Sequence, residues 1–193
     1  MIQCPGCHVK LPDRHRDPPD RTNASGECLQ AYSDLMCYTV AKQDPEFIHQ
    51  HVVDTYAAQH AGGPTRTITV AFGLIGLYLA LEKGYTGRQV QLVHMRIAKM
   101  RKNWPRLEPP GQPALLTVMD VLRAGTDAQK DAMIRKWMTA VWESWGDRHA
   151  WVRETTGELL KSVKKKSYYL KNIAGITPEL VNPPTDSSRQ LPQ

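Results

Sequence analysis

From about residue 26 onward, hydrophobic positions recur at intervals of three and four, the spacing of one face of an α-helix. No internal repeat and no convincing strand pattern accompanies them. Ser25 offers an N-cap oxygen to a run without Gly or Pro, which predicts a first helix over about 26–42. Asp44-Pro45 repeats the start signal and predicts a second over about 45–60, ended by Gly62-Gly63-Pro64. The third, about 64–82, carries Ile68, Val70, Phe72, Leu74, Ile75, Leu77, Leu79 and Leu81 around nearly its whole circumference, the pattern of a central helix surrounded by others. Gly73 and Gly76 within it imply close approach of a neighbour. A fourth, amphipathic helix follows over about 87–102 and a short one over about 116–125. Thr126 then opens the longest periodic run, through Met133, Ile134, Trp137, Met138, Val141, Trp142, Trp145 and His149, with a kink expected at Gly146.

The pattern predicts an all-α, single-domain helical bundle of five to seven helices. Residues 1–25 stand apart. They are polar and proline-rich, with Ile2, Val9 and Leu11 as the bulky aliphatics, too few for a core. They read as a metal-binding N-terminal loop, 26–165 as the bundle, and 166–193 as a basic segment with a Pro/Ser/Gln tail expected to be disordered from about 182.

Composition adds little to this picture, but charge and cysteine usage do. The formal net charge of +6 is local: Leu160–Lys171 holds Lys161, Lys164, Lys165, Lys166 and Lys171 without an acid, leaving 6 − 5 = +1 elsewhere. A nucleic-acid contact is therefore a reading of those lysines and not of the whole domain. The longest uncharged stretch, Thr67–Leu81, has 15 residues, short of the about 20 a membrane helix needs. The N-terminus shows no apolar run behind a basic region, so the cytoplasm is the default compartment. Four cysteines there imply thiols or a metal site before disulfides.

Cys4-Pro-Gly-Cys7 lets two thiolates converge on one ion, and tetrahedral zinc then needs two more sulfur or nitrogen ligands. Cys28, in the first turn of the first helix, is the leading third, because the helix dipole favours a thiolate there. The fourth follows from register. If the first two helices form an antiparallel hairpin turning near Asp44, Cys28 lies 44 − 28 = 16 positions before the turn and His60 lies 60 − 44 = 16 after it. His49 would sit roughly 16 Å along the axis from Cys28, at about 1.5 Å per residue. The predicted zinc set is Cys4, Cys7, Cys28 and His60, with His49 next and His8 or His51 behind. Cys37 reads as a buried thiol away from the site.

A second polar group shares the helix. His49, Asp54 and Tyr56, joined by His94 and His149, make an acid/base or second-metal site if they converge in the bundle interior. Otherwise Asp54 and Tyr56 bond helix ends and the histidines orient the first metal's ligands or meet solvent. The tryptophans at helical spacing read as core.

Cys4-Pro-Gly-Cys7, Asn23-Ala-Ser25 before Cys28, His49, then Val53-Asp54-x-Tyr56-Ala-x-Gln59-His60, and Trp142-x-x-Trp145 with His149 together resemble an uncharacterised bacterial family of all-helical proteins, a domain of unknown function. The resemblance covers most of residues 1–150 and implies no activity. That family usually has Gly after the second cysteine and Pro after the last histidine, where this chain has His8 and Ala61. Two function classes follow from the residues. One is a zinc-stabilised binding or regulatory module, whose partner is a protein; the other is a metal-dependent or acid/base enzyme using His49, Asp54 and Tyr56. Nucleic-acid binding through the lysine run is a third.

Overall fold

The computed structural model describes residues 1–100 and 103–174, with side chains described through 163 outside that gap. Within these residues the fold is a bundle of seven helices: α1 (Gly26–Ala41), α2 (Ile48–Gln59), α3 (Thr67–Leu81), α4 (Gly87–Ile97), α5 (Val118–Leu122), α6 (Asp127–Ser144) and α7 (His149–Ala174). A two-stranded antiparallel ribbon precedes them, pairing β1 (Ile2–Gln3) with β2 (Lys10–Leu11). Strands of two residues are too short to leave a periodic signature, which is why the hydrophobic pattern misses them.

Helix α2 is the axis of the assembly, packed against α1, α3, α4 and α6. Its closest partner is α3, whose Val70, Ala71, Leu74, Ile75, Leu77 and Leu79 are buried on several sides. The two glycines explain how close the pair comes. A Cβ on Gly73 would lie 2.6 Å from the Asp54 carbonyl oxygen, and one on Gly76 would lie 2.0 Å from Asp54 Oδ2. Across the bundle Gln59 donates from Nε2 to the Leu116 carbonyl at 2.7 Å and accepts from Trp137 Nε1 at 2.9 Å. One amide thereby ties α2 to the α5 approach and to α6, and gives the fully buried Trp137 its partner.

The second helix begins at Ile48, later than Asp44-Pro45 predicts. The Asp44 carboxylate accepts from the N–H groups of Glu46 and Ile48, both at 3.0 Å, while Phe47 takes φ +59°. A capping acid followed by proline serves a tight turn as well as a helix start. The turn is pinned from outside, since a Cβ on Gly87 would lie 1.9 Å from the Phe47 carbonyl oxygen and Arg88 N–H donates to the Glu46 carbonyl at 2.9 Å.

The fourth helix ends at Ile97, short of the expected 102, and residues 101–102 lie outside those described. The kink expected at Gly146 is a full break, with a single 3₁₀ turn, Gly146–Arg148, between α6 and α7. His149 stabilises that corner by donating from Nε2 to the Trp142 carbonyl at 2.9 Å while stacking on the Trp142 ring. The lysine run falls on α7, where Lys161 is exposed; the side chains of Lys164, Lys165, Lys166 and Lys171 and the tail from 175 lie outside the described residues. No described helix is long and apolar enough to cross a membrane.

Candidate metal centre

The N-terminal lead is built as a clamp over the start of α1 and the end of α2. Cys4 N–H donates to the Val9 carbonyl at 2.9 Å and His8 N–H to the Cys4 carbonyl at 3.0 Å, folding Cys4–Cys7 into a tight turn closed by the ribbon. His8 sits at φ +60°, in the left-handed region where glycine is the unstrained choice. Gly6 faces the bundle so closely that a Cβ would meet the Asn23 carbonyl oxygen at 2.3 Å and His60 Cδ2 at 2.7 Å. Asn23 donates from its backbone N–H to Thr65 Oγ1 at 2.8 Å and from Nδ2 to the Ala61 carbonyl at 2.9 Å. Glu27 accepts from the Arg14 and Arg16 N–H groups at 3.1 and 3.2 Å. Those backbone N–H groups, Arg14's first, hold the Glu27 carboxyl below its ordinary range.

Inside the clamp, Cys4, Cys7, Cys28 and His60 are positioned to bind a metal ion: their ligand atoms all lie within 4.8 Å of one another and all four residues are buried. Cys7 Sγ and Cys28 Sγ are 3.7 Å apart. Two sulfurs bound tetrahedrally at about 2.3 Å from zinc would be about 3.8 Å apart, so this pair is already at ligand spacing. Cys28 Sγ lies 3.3 Å from His60 Nε2. Ser25 caps α1 by accepting from Cys28 N–H at 3.2 Å, setting the Cys28 thiol beside the positive end of the helix.

His60 Nδ1 donates to the Tyr56 carbonyl at 2.9 Å, so the proton is on Nδ1 and Nε2 carries the free lone pair a metal requires. Tyr56 itself stacks on the His60 ring at 3.8 Å and on Tyr32 at 3.9 Å, and its hydroxyl donates toward Cys28 Sγ at 3.8 Å. Burial, with the neighbouring Cys28, raises the Tyr56 phenol well above its ordinary pKa, so it remains a donor. Among the thiols, S–H donation from Cys28 and then Cys7 lowers Cys4 strongly, whereas Cys28 is raised.

The remaining sequence-predicted residues divide among separate places. His49 Nδ1 pairs with Thr39 Oγ1 at 2.8 Å near the end of α1, His8 and Cys37 are exposed, and His51 lines a cleft at the opposite end of α2. Cys37 thus differs from its expected burial, because it falls on the outer face of α1. Tyr56 belongs to the metal surroundings and His149 to the α6–α7 corner. Asp54 and His94 do meet, with Asp54 Oδ1 3.7 Å from His94 Nδ1 and accepting from Gln50 Nε2 at 3.0 Å. Asp54 Oδ2 and His94 Nε2 are buried without hydrogen-bond partners. Sequence reasoning missed Gln50, Tyr32 and Asn23. Asn23 was visible only as part of a shared motif, and Tyr32 shows itself as the residue one turn after Cys28.

Burial raises the Asp54 carboxyl well above its usual value and lowers His94 to about 4. In the unfolded chain Asp titrates near 3.9 and His near 6.5. The folded state therefore holds extra protons at Asp54 above about pH 4 and fewer at His94 between about 4 and 6.5, so the two effects oppose each other in that interval. The Asp54 contribution taken by itself falls as pH rises from about 4 through its raised folded pKa, by at most about 1.4 kcal/mol per pH unit, whereas thiols held as thiolates by a metal add stability with rising pH. The difference in melting temperature between wild type and D54N, both metal-loaded, isolates this contribution: it should shift against the wild type as pH rises from 5 to 8, and a difference independent of pH would show that Asp54 does not carry the extra proton.

A family model, that of DUF5946, a family of unknown function, matches residues 2–146, from β1 to the 3₁₀ turn after α6. That span contains all four clustered ligands together with Asp54 and His94 and stops before α7. No curated protein and no solved structure matches the chain significantly. The chain belongs to DUF5946, a family of unknown function.

Proposed function

We propose that Cys4, Cys7, Cys28 and His60 hold one zinc ion, that the zinc is structural, and that the protein is a zinc-stabilised binding or regulatory module of a reducing, cytoplasmic compartment. The observation that carries this reading is the burial of four convergent donors, with Cys4, Cys28 and His60 at 0% exposure and Cys7 at 3%. Three thiolates and an imidazole complete a tetrahedral site, and no open position is left for substrate or water. The donor set is soft enough to favour zinc over magnesium or calcium, which take oxygen ligands. The ion links a lead that cannot form its own core to the start of α1 and the end of α2.

The acid/base alternative retains Asp54 and His94 as a pair, without His49, Tyr56 or His149 beside them. The structural-zinc reading accounts for more of these residues, since Tyr56 and His60 act together at the cluster.

H60A and H49A separate the ligand assignments. Purified H60A should contain well under one zinc per chain and lose what remains to a mild chelator, while H49A should match the wild type. If H49A lost zinc and H60A retained it, the ligand set would be wrong.

A further inference from the structure

A cleft of about 450 Å³ opens at the far end of α2 from the metal cluster, between the α1–α2 turn, the end of α3 and α6. His51 and His60 are nine residues apart on the same chain segment, about 14 Å at 1.5 Å per residue, so the two places are separate. Its volume falls within the range of small-molecule sites. Ile48, Leu81, Ile134 and Met138 provide apolar wall.

The charged groups of the lining are unevenly satisfied. Lys42 is ion-paired with Asp131, and both Asp44 oxygens accept backbone N–H groups of the turn. Three groups remain. Arg135 has an exposed guanidinium without an ion-pair partner among the described residues, and the Glu46 carboxylate is likewise unpaired. His51 is half-buried, its Nδ1 is shut from solvent, and neither ring nitrogen has a hydrogen-bond partner among the described residues. The buried Nδ1 without a hydrogen bond is the uncommon feature, costing about 1–3 kcal/mol, while Nε2 keeps access to the cleft. Burial and the nearby Arg135 charge hold its pKa down to about 4, so at neutral pH the ring is uncharged and carries one N–H donor.

The Arg135 guanidinium and the His51 Nε2–H therefore face the cleft with no protein acceptor among the described residues, and one carboxylate could serve both. The full lining has three acids, Asp44, Glu46 and Asp131, against two cations, Lys42 and Arg135. That balance disfavours a nucleotide or other polyanion and leaves Glu46 free for a cation. We propose that this cleft binds a small zwitterion with an apolar side chain, of the class of a free amino acid or dipeptide. Its carboxylate is held by Arg135 and His51, its ammonium by Glu46, and its side chain by Ile48, Ile134 and Met138.

The test uses the full, metal-loaded chain, labelled with ¹⁵N and titrated at pH 7 with L-leucine, L-leucyl-L-leucine, 4-methylpentanoate and isoamylamine. At least one of the two zwitterions should shift the amides of Ile48, His51, Ile134 and Met138 saturably. The carboxylate-only and amine-only compounds should bind about tenfold more weakly, or worse, having lost one charged contact. R135Q should weaken the zwitterion about tenfold, and E46Q should weaken it while leaving 4-methylpentanoate unchanged. Both residues are exposed, and unchanged melting temperatures will show that the variants fold. No saturable shift with either zwitterion, binding indifferent to R135Q, or 4-methylpentanoate binding as tightly as the zwitterions would each overturn the proposal.

Discussion

Replacing Cys28 with serine should abolish stoichiometric metal binding and lower the melting temperature by roughly 8–16 °C. Cys28 is the hub of the cluster, 3.7 Å from Cys7 Sγ, 3.3 Å from His60 Nε2 and under the Tyr56 hydroxyl. Without it the four-ligand set is incomplete, and the lead loses the tie to α1 that a shared metal ion would make. An ion present at a thousandfold its Kd stabilises the folded state by about 4 kcal/mol. In a chain of this size each kcal/mol shifts the melting temperature by about 2–4 °C. Chelator should lower the wild-type melt to that of C28S and leave C28S itself unmoved. C37S is the control, since Cys37 is exposed on the same helix, and it should melt like the wild type. A C28S protein that melts with the wild type would remove the metal from the account of stability.

Gly76→Ala should destabilise the fold by about 2–3 kcal/mol despite replacing the poorer helix former. On an exposed helix the change would gain about 1 kcal/mol. Here the new methyl would stand 2.0 Å from Asp54 Oδ2 and 2.4 Å from Asp54 Cγ. The carboxyl has no free direction in which to retreat: Gln50 holds its other oxygen, His94 flanks it, and Asp54 is 3% exposed. Helices α2 and α3 must then separate, or Asp54 must leave its rotamer. The cost should therefore be coupled to Asp54, and G76A should lose less stability in a D54A background than in the wild type. Equal losses in both backgrounds would place the obstruction elsewhere.

Much of this arrangement is legible in the residues, for identifiable reasons. The all-round apolar surface of α3 marks a helix enclosed by neighbours, and its two glycines mark the face where α2 comes closest. Equal spacing of Cys28 and His60 about the turn near Asp44 selects the pair found 3.3 Å apart, although α2 starts later than the proline signal indicates. The shift at the start leaves the register intact because turn residues 44–47 occupy length that helix would otherwise fill.

The polar group on α2 is less legible. A helical stripe puts His49, Tyr56 and His60 on one side but does not say which neighbour each level of that side meets. His49 meets the end of α1, Tyr56 meets the thiols at its beginning, and Asp54, turned away from both, meets α3 and α4. Proximity along the sequence therefore suggests one site where the packing makes two. Roles supplied through a carbonyl are also invisible to residue identity, as with the Tyr56 carbonyl that sets the His60 tautomer.

The proposed site holds a single zinc ion on three thiolates and one imidazole. Elemental analysis of protein purified without chelator, followed by replacement of the native metal with cobalt(II), tests it most directly. The expected result is about one zinc per chain, and in the cobalt form the visible bands of a tetrahedral ion with sulfur-to-metal charge transfer, all lost in C28S. Protein with fully reduced thiols and no stoichiometric metal, or a cobalt spectrum without thiolate charge transfer, would contradict it.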